Sequence, residues 1–170
     1  MQLFIMRHGE AQNFVEQGSR DDSQRALTTQ GKLEAKMMAN WLQKMKIKPK
    51  QVFVSPYIRA QQTCAIACSM METTITTLDF ITPSGDAKQV HDFIDGWCSE
   101  QQALTVQQSE LKQESLLIIA HMPLVSYLVA QLTQFEHAPI FATAGIAHID
   151  YDIDTMQGQL LSMVSPLDLC

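Results

Sequence analysis

Three places in this chain end a short apolar run on groups able to handle a phosphate. Leu3-Phe4-Ile5-Met6 leads to Arg7-His8-Gly9-Glu10, Val52-Phe53-Val54 leads to Ser55-Pro56-Tyr57-Ile58-Arg59, and Leu116-Leu117-Ile118-Ile119-Ala120 leads to His121-Met122-Pro123. Histidine is a competent nucleophile once a neighbour fixes its tautomer, and arginine offers a rigid fork of donors matched to phosphate oxygens. Two arginines and two imidazoles suit a dianionic phosphoryl group. They do not suit zinc, because arginine is no ligand and the imidazoles lack a carboxylate or thiol at recognisable spacing. Each motif alone has a plainer reading: Arg59 as an exposed helix arginine, His121 as a turn residue before proline. Their recurrence behind three apolar runs is what argues for a site.

Apolar runs this short read as buried strands, so each motif stands at a strand tip. Ser55, read as a helix cap with Pro56 in the first turn, puts Arg59 in that turn, where side chains lean back toward the N-terminus. Helix-start N–H groups would add positive character, Gly9 an unobstructed backbone for phosphate binding, and His121 a third donor if protonated.

Around these tips the other elements follow. Ala11 to Ala26 reads as a surface loop; a helix begins at Thr28 or Thr29, lines up Leu33, Met37, Trp41 and Met45, and ends before Pro49. Tyr57 to about Ser69 is a helix and Thr74 to Leu78 a β-branched strand. Asp86 and Gln89 have capping-box spacing before a helix carrying Val90, Phe93, Ile94 and Trp97. Ser99 to Ser115 reads as that helix's end and a surface connection. Pro123 opens a helix through Leu132, and Ile146 to Tyr151 and Gln159 to Val164 read as a closing hairpin. Strands alternating with helices imply an α/β fold, three layers α/β/α, with a mostly parallel central sheet and helices on both faces. Ligands in such sheets sit beyond the strands' carboxyl ends, which aims all three motifs at one crevice.

At 170 residues the expectation is a single domain spanning 1–170. A net charge of −6 disfavours broad binding to nucleic acid or an anionic membrane, so cationic chemistry must be local. No apolar stretch reaches transmembrane length, and Arg7 interrupts the N-terminal run too early for a signal peptide, so a cytoplasmic monomer is expected. Cys64, Cys68, Cys98 and Cys170 form no CxxC pair and read as reduced thiols. His91, His137 and His148 have no chemical company, and Asn13 reads as turn chemistry.

Arg7-His8-Gly9-Glu10, Leu27-Thr28 with Gly31 and Ala35, Ser55 through Thr63, and His121-Met122-Pro123-Leu124-Val125 resemble the histidine phosphatase superfamily in order and spacing. The small size, the Met-Arg-His-Gly opening and Thr82-Pro83-Ser84-Gly85-Asp86 look most like its short bacterial branch, the SixA-type phosphohistidine phosphatases. The resemblance implies that His8 attacks phosphorus and is transiently phosphorylated while Arg7, Arg59 and His121 hold the phosphoryl oxygens. Neither metal nor other cofactor is implied. Two displacements with fixed positive groups around the equatorial oxygens agree with that chemistry.

One departure bears on substrate. Superfamily members that cleave phosphate esters often carry a general-acid carboxylate after the third strand, where this chain reads Phe80-Ile81-Thr82-Pro83. A phosphohistidine leaves as an imidazole that protonates near neutrality and needs far less acid assistance than an alcohol. The missing acid therefore favours phosphohistidine on a phosphotransfer protein, such as a signalling-relay or sugar-phosphotransferase carrier, reached through a shallow, lidless crevice. Glu10, Asp22 and Asp86 remain carboxylates that could swing in as acids. The alternatives are a phosphatase for small phosphomonoesters and, against the intact His8, a silent phosphoprotein-binding module.

Overall fold

A computed structural model describes residues 1–105 and 114–170. Six strands, β1 (Gln2–Arg7), β2 (Gln51–Val54), β3 (Thr74–Thr77), β4 (Ser115–Ala120), β5 (Ile146–Asp152) and β6 (Gln157–Val164), form one sheet in the order β3-β2-β4-β1-β5-β6. The first four in that order pair in parallel. β5 is antiparallel to β1, and its hairpin partner β6 antiparallel to β5. The helices are α1 (Phe14–Gln17), α2 (Thr29–Lys44), α3 (Ile58–Ala67), α4 (Ala87–Leu104) and α5 (Leu124–Leu132).

The strands leading to the three motifs are apolar without alternation because helices cover both sheet faces. Phe4, Met6, Val52, Val54, Leu117 and Ile119 pack with Met38 and Leu42 of α2 and Ala60 and Cys64 of α3. The intervening Leu3, Ile5, Phe53, Leu116 and Ile118 pack with Val90 and Ile94 of α4 and Leu124 and Leu128 of α5. This is the expected three-layer α/β/α arrangement. β3, at the sheet edge, has all four residues exposed, which accounts for its threonines.

Four local expectations are corrected. Leu33 of α2 and Met45, its C-cap, are 53% and 56% exposed, and the helix instead buries Ala35, Met38, Ala39 and Leu42. Four-residue steps drift about 40° each around a helix, whereas positions 35, 38, 39 and 42 follow its turn. The stretch from Ala11 to Ala26 is not structureless: Asn13 and Glu16 form a reciprocal capping box on α1, and Asp22–Gln24 make a 3-10 turn. Helix α3 starts at Ile58, with Tyr57 rather than Ser55 at its N-cap position. Asp86 caps α4 by accepting from Lys88 N–H, two residues on, without a reciprocal bond from Gln89. Of the Ser99–Ser115 connection, α4 extends to Leu104, and residues 106–113 lie outside the described residues.

Where β1 leaves the sheet, the chain presses onto the first turn of α2. A Cβ on Gly31 would overlap the Glu10 carbonyl, and one on Gly9 would overlap the Gly31 carbonyl. Neither obstacle is a side chain that could swing aside. Gly31→Ala is therefore expected to cost about 1–3 kcal/mol through forced backbone displacement beside His8. An unchanged denaturant midpoint together with unchanged activity would contradict this packing.

Candidate active site

β1 delivers Arg7 and His8, β4 delivers His121, and the first turn of α3 delivers Arg59; the parallel alignment brings their strand tips to one end of the sheet. Ala120 carbonyl, paired with Arg7, accepts from His8 N–H at 3.0 Å, so the two histidine segments are stitched together by backbone. The His8 and His121 ring centroids are 5.0 Å apart.

Two contacts settle the tautomer of His8. Nδ1 lies 2.6 Å from the Gly9 carbonyl, which can only accept, so Nδ1 carries the proton. Arg59 Nε–H donates to Nε2 at 3.2 Å, which leaves Nε2 as the nitrogen with the lone pair. Burial, with Arg59, Arg7 and Arg25 nearby, pushes the imidazole down to about 3, outweighing the Gly9 carbonyl's pull in the other direction. His8 is thus a neutral base with a defined nucleophilic atom.

Arg59 is nearly fully buried, and its other donors go to one residue. Nη1 reaches the Asp22 carbonyl at 2.6 Å and Nη2 the Asp22 carboxylate at 2.9 Å. The Asp22 carboxylate also takes Arg25 Nη1 at 2.9 Å. Burial works to raise the Asp22 carboxyl, but the Arg25 and Arg59 hydrogen bonds outweigh it and hold it below the usual range. Thr63, one helical turn beyond Arg59, donates to the Arg59 carbonyl at 2.7 Å and accepts Gly9 N–H at 3.1 Å. The Tyr57 ring lies 5.0 Å from the Arg59 guanidinium carbon and 5.0 Å from the His121 centroid, edge-on to the latter.

Arg7 Nη1 donates to the Phe141 carbonyl at 2.8 Å, which fixes the guanidinium while its buried Nε makes no hydrogen bond among the described residues. His121 is fully buried; Nε2 lies 2.6 Å from Ser55 Oγ, and Nδ1 is unpaired. Burial, then His8 and Arg59, push the His121 imidazole down to about 2. Burial and positive neighbours thus disfavour the protonated form of His121, and in the neutral ring donation comes from its single N–H. Fixed cationic forks, unpaired buried nitrogens and a lone-pair-bearing imidazole can together receive a phosphoryl group and attack it.

The structure separates the three candidate carboxylates. Glu10 accepts from Thr28 Oγ1 at 2.7 Å, and its N–H donates to Glu34 at 2.9 Å, tying the β1 exit to α2. Asp86 is a helix cap, and Thr82 belongs to the turn ahead of it, its carbonyl accepting from Gly85. Only Asp22 is joined to the cluster, and its arginines hold it ionised, which suits bracing better than proton donation. The site is also narrower than a lidless chain suggested: His8 is 7% exposed, and the Asp22 turn contacts the Arg59 head group.

The sequence places Ser55, Tyr57 and Thr63 in the α3 motif and offers Asp22 as a possible acid, but it assigns none of them, nor the Phe141 carbonyl, its partner in the site. Thr63 carried a usable signal, since i+4 from Arg59 is the same helix face. Asp22 and Phe141 carried none, because their contacts span 37 and 134 residues. His91 of α4 pairs with Tyr151 of β5, and His148 stacks on Phe4, both as fold contacts. Asn13 is the α1 cap. Among the described residues no helix is long and apolar enough to cross a membrane.

The family described as the histidine phosphatase superfamily (branch 1) matches residues 3–81. Over 171 residues the chain is 37% identical to the phosphohistidine phosphatase SixA of Escherichia coli, covering 99% of this chain and 96% of that one. It is 32% identical to a SixA homolog of Haemophilus influenzae across 89% of each. A solved structure of the protein histidine phosphatase SixA complexed with tungstate superposes with a TM-score of 0.86 at 35% identity over all of both chains.

Proposed function

Because the chain belongs to the histidine phosphatase superfamily, branch 1, we propose that it is a SixA-type phosphohistidine phosphatase acting on a phosphohistidine carried by another protein. The observation that carries this reading is the His8 tautomer: proton on Nδ1 toward Gly9, lone pair on Nε2 among cationic groups. Full-length similarity to an Escherichia coli protein of that activity supports the substrate class. So does the state of Asp22, the candidate acid joined to Arg59, which is held in its ionised form.

His8 Nε2 attacks phosphorus, and the bond from phosphorus to the substrate's imidazole nitrogen breaks. That nitrogen keeps the electron pair and takes a proton from solvent. As the His8 ring becomes cationic, the Nδ1–H bond to the Gly9 carbonyl strengthens and stabilises it. Arg7, Arg59 and His121 hold the equatorial oxygens, which carry the developing charge. Water then attacks the phosphorus of phosphorylated His8; the P–Nε2 bond breaks, its pair returns to Nε2, and a proton leaves with inorganic phosphate.

The test is a phosphate-release assay on a panel of phosphohistidine carrier proteins beside small phosphate esters, aryl and sugar. Faster release from at least one carrier is expected. If sugar phosphates turn over faster than every carrier, the phosphomonoester reading replaces this one.

A further inference from the structure

We propose that Ser55 is a positioning residue that sets His121 in the neutral tautomer with its proton on Nδ1, making it a donor to the phosphoryl group. The inference rests on the functional reading above and adds to it a residue and a proton.

A count of hydrogens carries it. Ser55 is fully buried, and its Oγ has two neighbours, Tyr57 N–H at 3.3 Å and His121 Nε2 at 2.6 Å. The Tyr57 N–H can only donate, so Oγ accepts there. If His121 also donated from Nε2, the Ser55 hydroxyl proton would have no acceptor among the described residues, and Nδ1 would hold a buried lone pair without a donor. Two buried polar groups would then be orphaned. In the other arrangement Ser55 O–H donates to Nε2, and both atoms are satisfied. One unpaired group remains, an Nδ1–H whose ring stands 5.0 Å from the His8 ring. That is the group an incoming oxyanion completes.

The electrostatics agree. Burial and the positive neighbours disfavour a second proton on His121, which agrees with a neutral ring whose tautomer decides the nitrogen that donates. The Tyr57 ring, packed edge-on against the imidazole, holds the ring plane in which the Ser55 hydrogen bond is short.

Ser55→Ala removes the hydroxyl and leaves the two tautomers to compete. 15N NMR of His121 in the wild-type protein should show a protonated, pyrrole-type Nδ1 and a pyridine-type Nε2, and Ser55→Ala should lose that assignment. Binding of inorganic phosphate, measured by calorimetry, should weaken, and kcat for carrier dephosphorylation should fall by about a hundredfold to a thousandfold, as when one oxyanion donor is lost. Ser55→Thr, which keeps the hydroxyl, should restore the assignment and most of both losses; a merely structural role would not tie them together. Thermal melts establish that each variant is folded. A pyridine-type Nδ1 in the wild-type protein, or a folded Ser55→Ala variant that binds phosphate like wild type, would overturn the proposal. A wild-type protein inactive on every carrier would overturn the functional reading instead, and the NMR and phosphate-binding measurements would still decide the role of Ser55.

Discussion

Replacing His8 with alanine is expected to lower release of phosphate from a phosphohistidine protein by about four orders of magnitude or more, the scale seen when a covalent nucleophile is removed. Nothing else in the cluster can take its place. His121 is the other imidazole, but its Nε2 is held at 2.6 Å by the buried Ser55 hydroxyl, closer than the 3.2 Å contact of Arg59 with His8; the Asp22 carboxylate is committed to Arg25 and Arg59, and the arginines are cations with no lone pair to offer. Binding of the carrier should persist, because Arg7 keeps its Phe141 anchor and Arg59 its Asp22 brace. Trapping experiments should show acid-labile, base-stable phosphate on the wild-type protein and none on the variant. His8→Asn, which retains a polar group near the Gly9 carbonyl, controls for loss of packing in a buried site. Phosphate release at the wild-type rate from either folded variant would remove His8 from the nucleophile's role, and failure to trap a phosphoenzyme would count against two displacements.

Acid should destabilise this protein well before its carboxylates titrate. His8 and His121 are pushed down to about 3 and about 2 by burial, reinforced by neighbouring positive charge, whereas in the unfolded chain each has its ordinary value near 6.5. Above that value neither group takes a proton in either state, and no penalty exists. As pH falls below it, the unfolded state binds protons that the folded state refuses, so stability is lost. The loss continues until the folded-state values are reached. At pH 5 this amounts to about 2 kcal/mol for each imidazole, roughly 4 kcal/mol together, a large share of a typical domain's 5–15 kcal/mol. His91 and His148, also lowered by burial, act in the same direction. The Asp22 carboxyl, held low by Arg25 and Arg59, adds a further loss only at lower pH, as it protonates. Urea titrations at pH 7.5 and pH 5 should show the difference, and His8→Asn should flatten the dependence by about half of the paired effect. Equal midpoints at the two pH values would mean that these imidazoles take up protons in the folded protein as they do in the unfolded chain.

What determines where the chemistry lies is carried by short stretches of the chain itself. Apolar runs with no alternation can be satisfied only by strands covered on both faces, and each such run here ends on its charged or imidazole group without an intervening residue or within five. A parallel sheet then carries Arg7, His8, Arg59 and His121 to a common end. Local periodicity served less well in α2, where Leu33 and Met45 are as apolar as the residues actually buried, and Ala35, Met38 and Ala39 win because they fit the face turned to the sheet. The protonation states were decided only in the folded structure. His8 owes its lone pair on Nε2 to the neighbouring Gly9 carbonyl and to Arg59, 51 residues away; His121 meets Ser55 from 66 residues away, and Arg59 its Asp22 brace from 37. A side chain's type and its strand fix where it can reach, but a tautomer is set by whichever donor or acceptor stands opposite each ring nitrogen. Those partners are brought there by the crossing of strands and helices, which no local pattern in the sequence encodes.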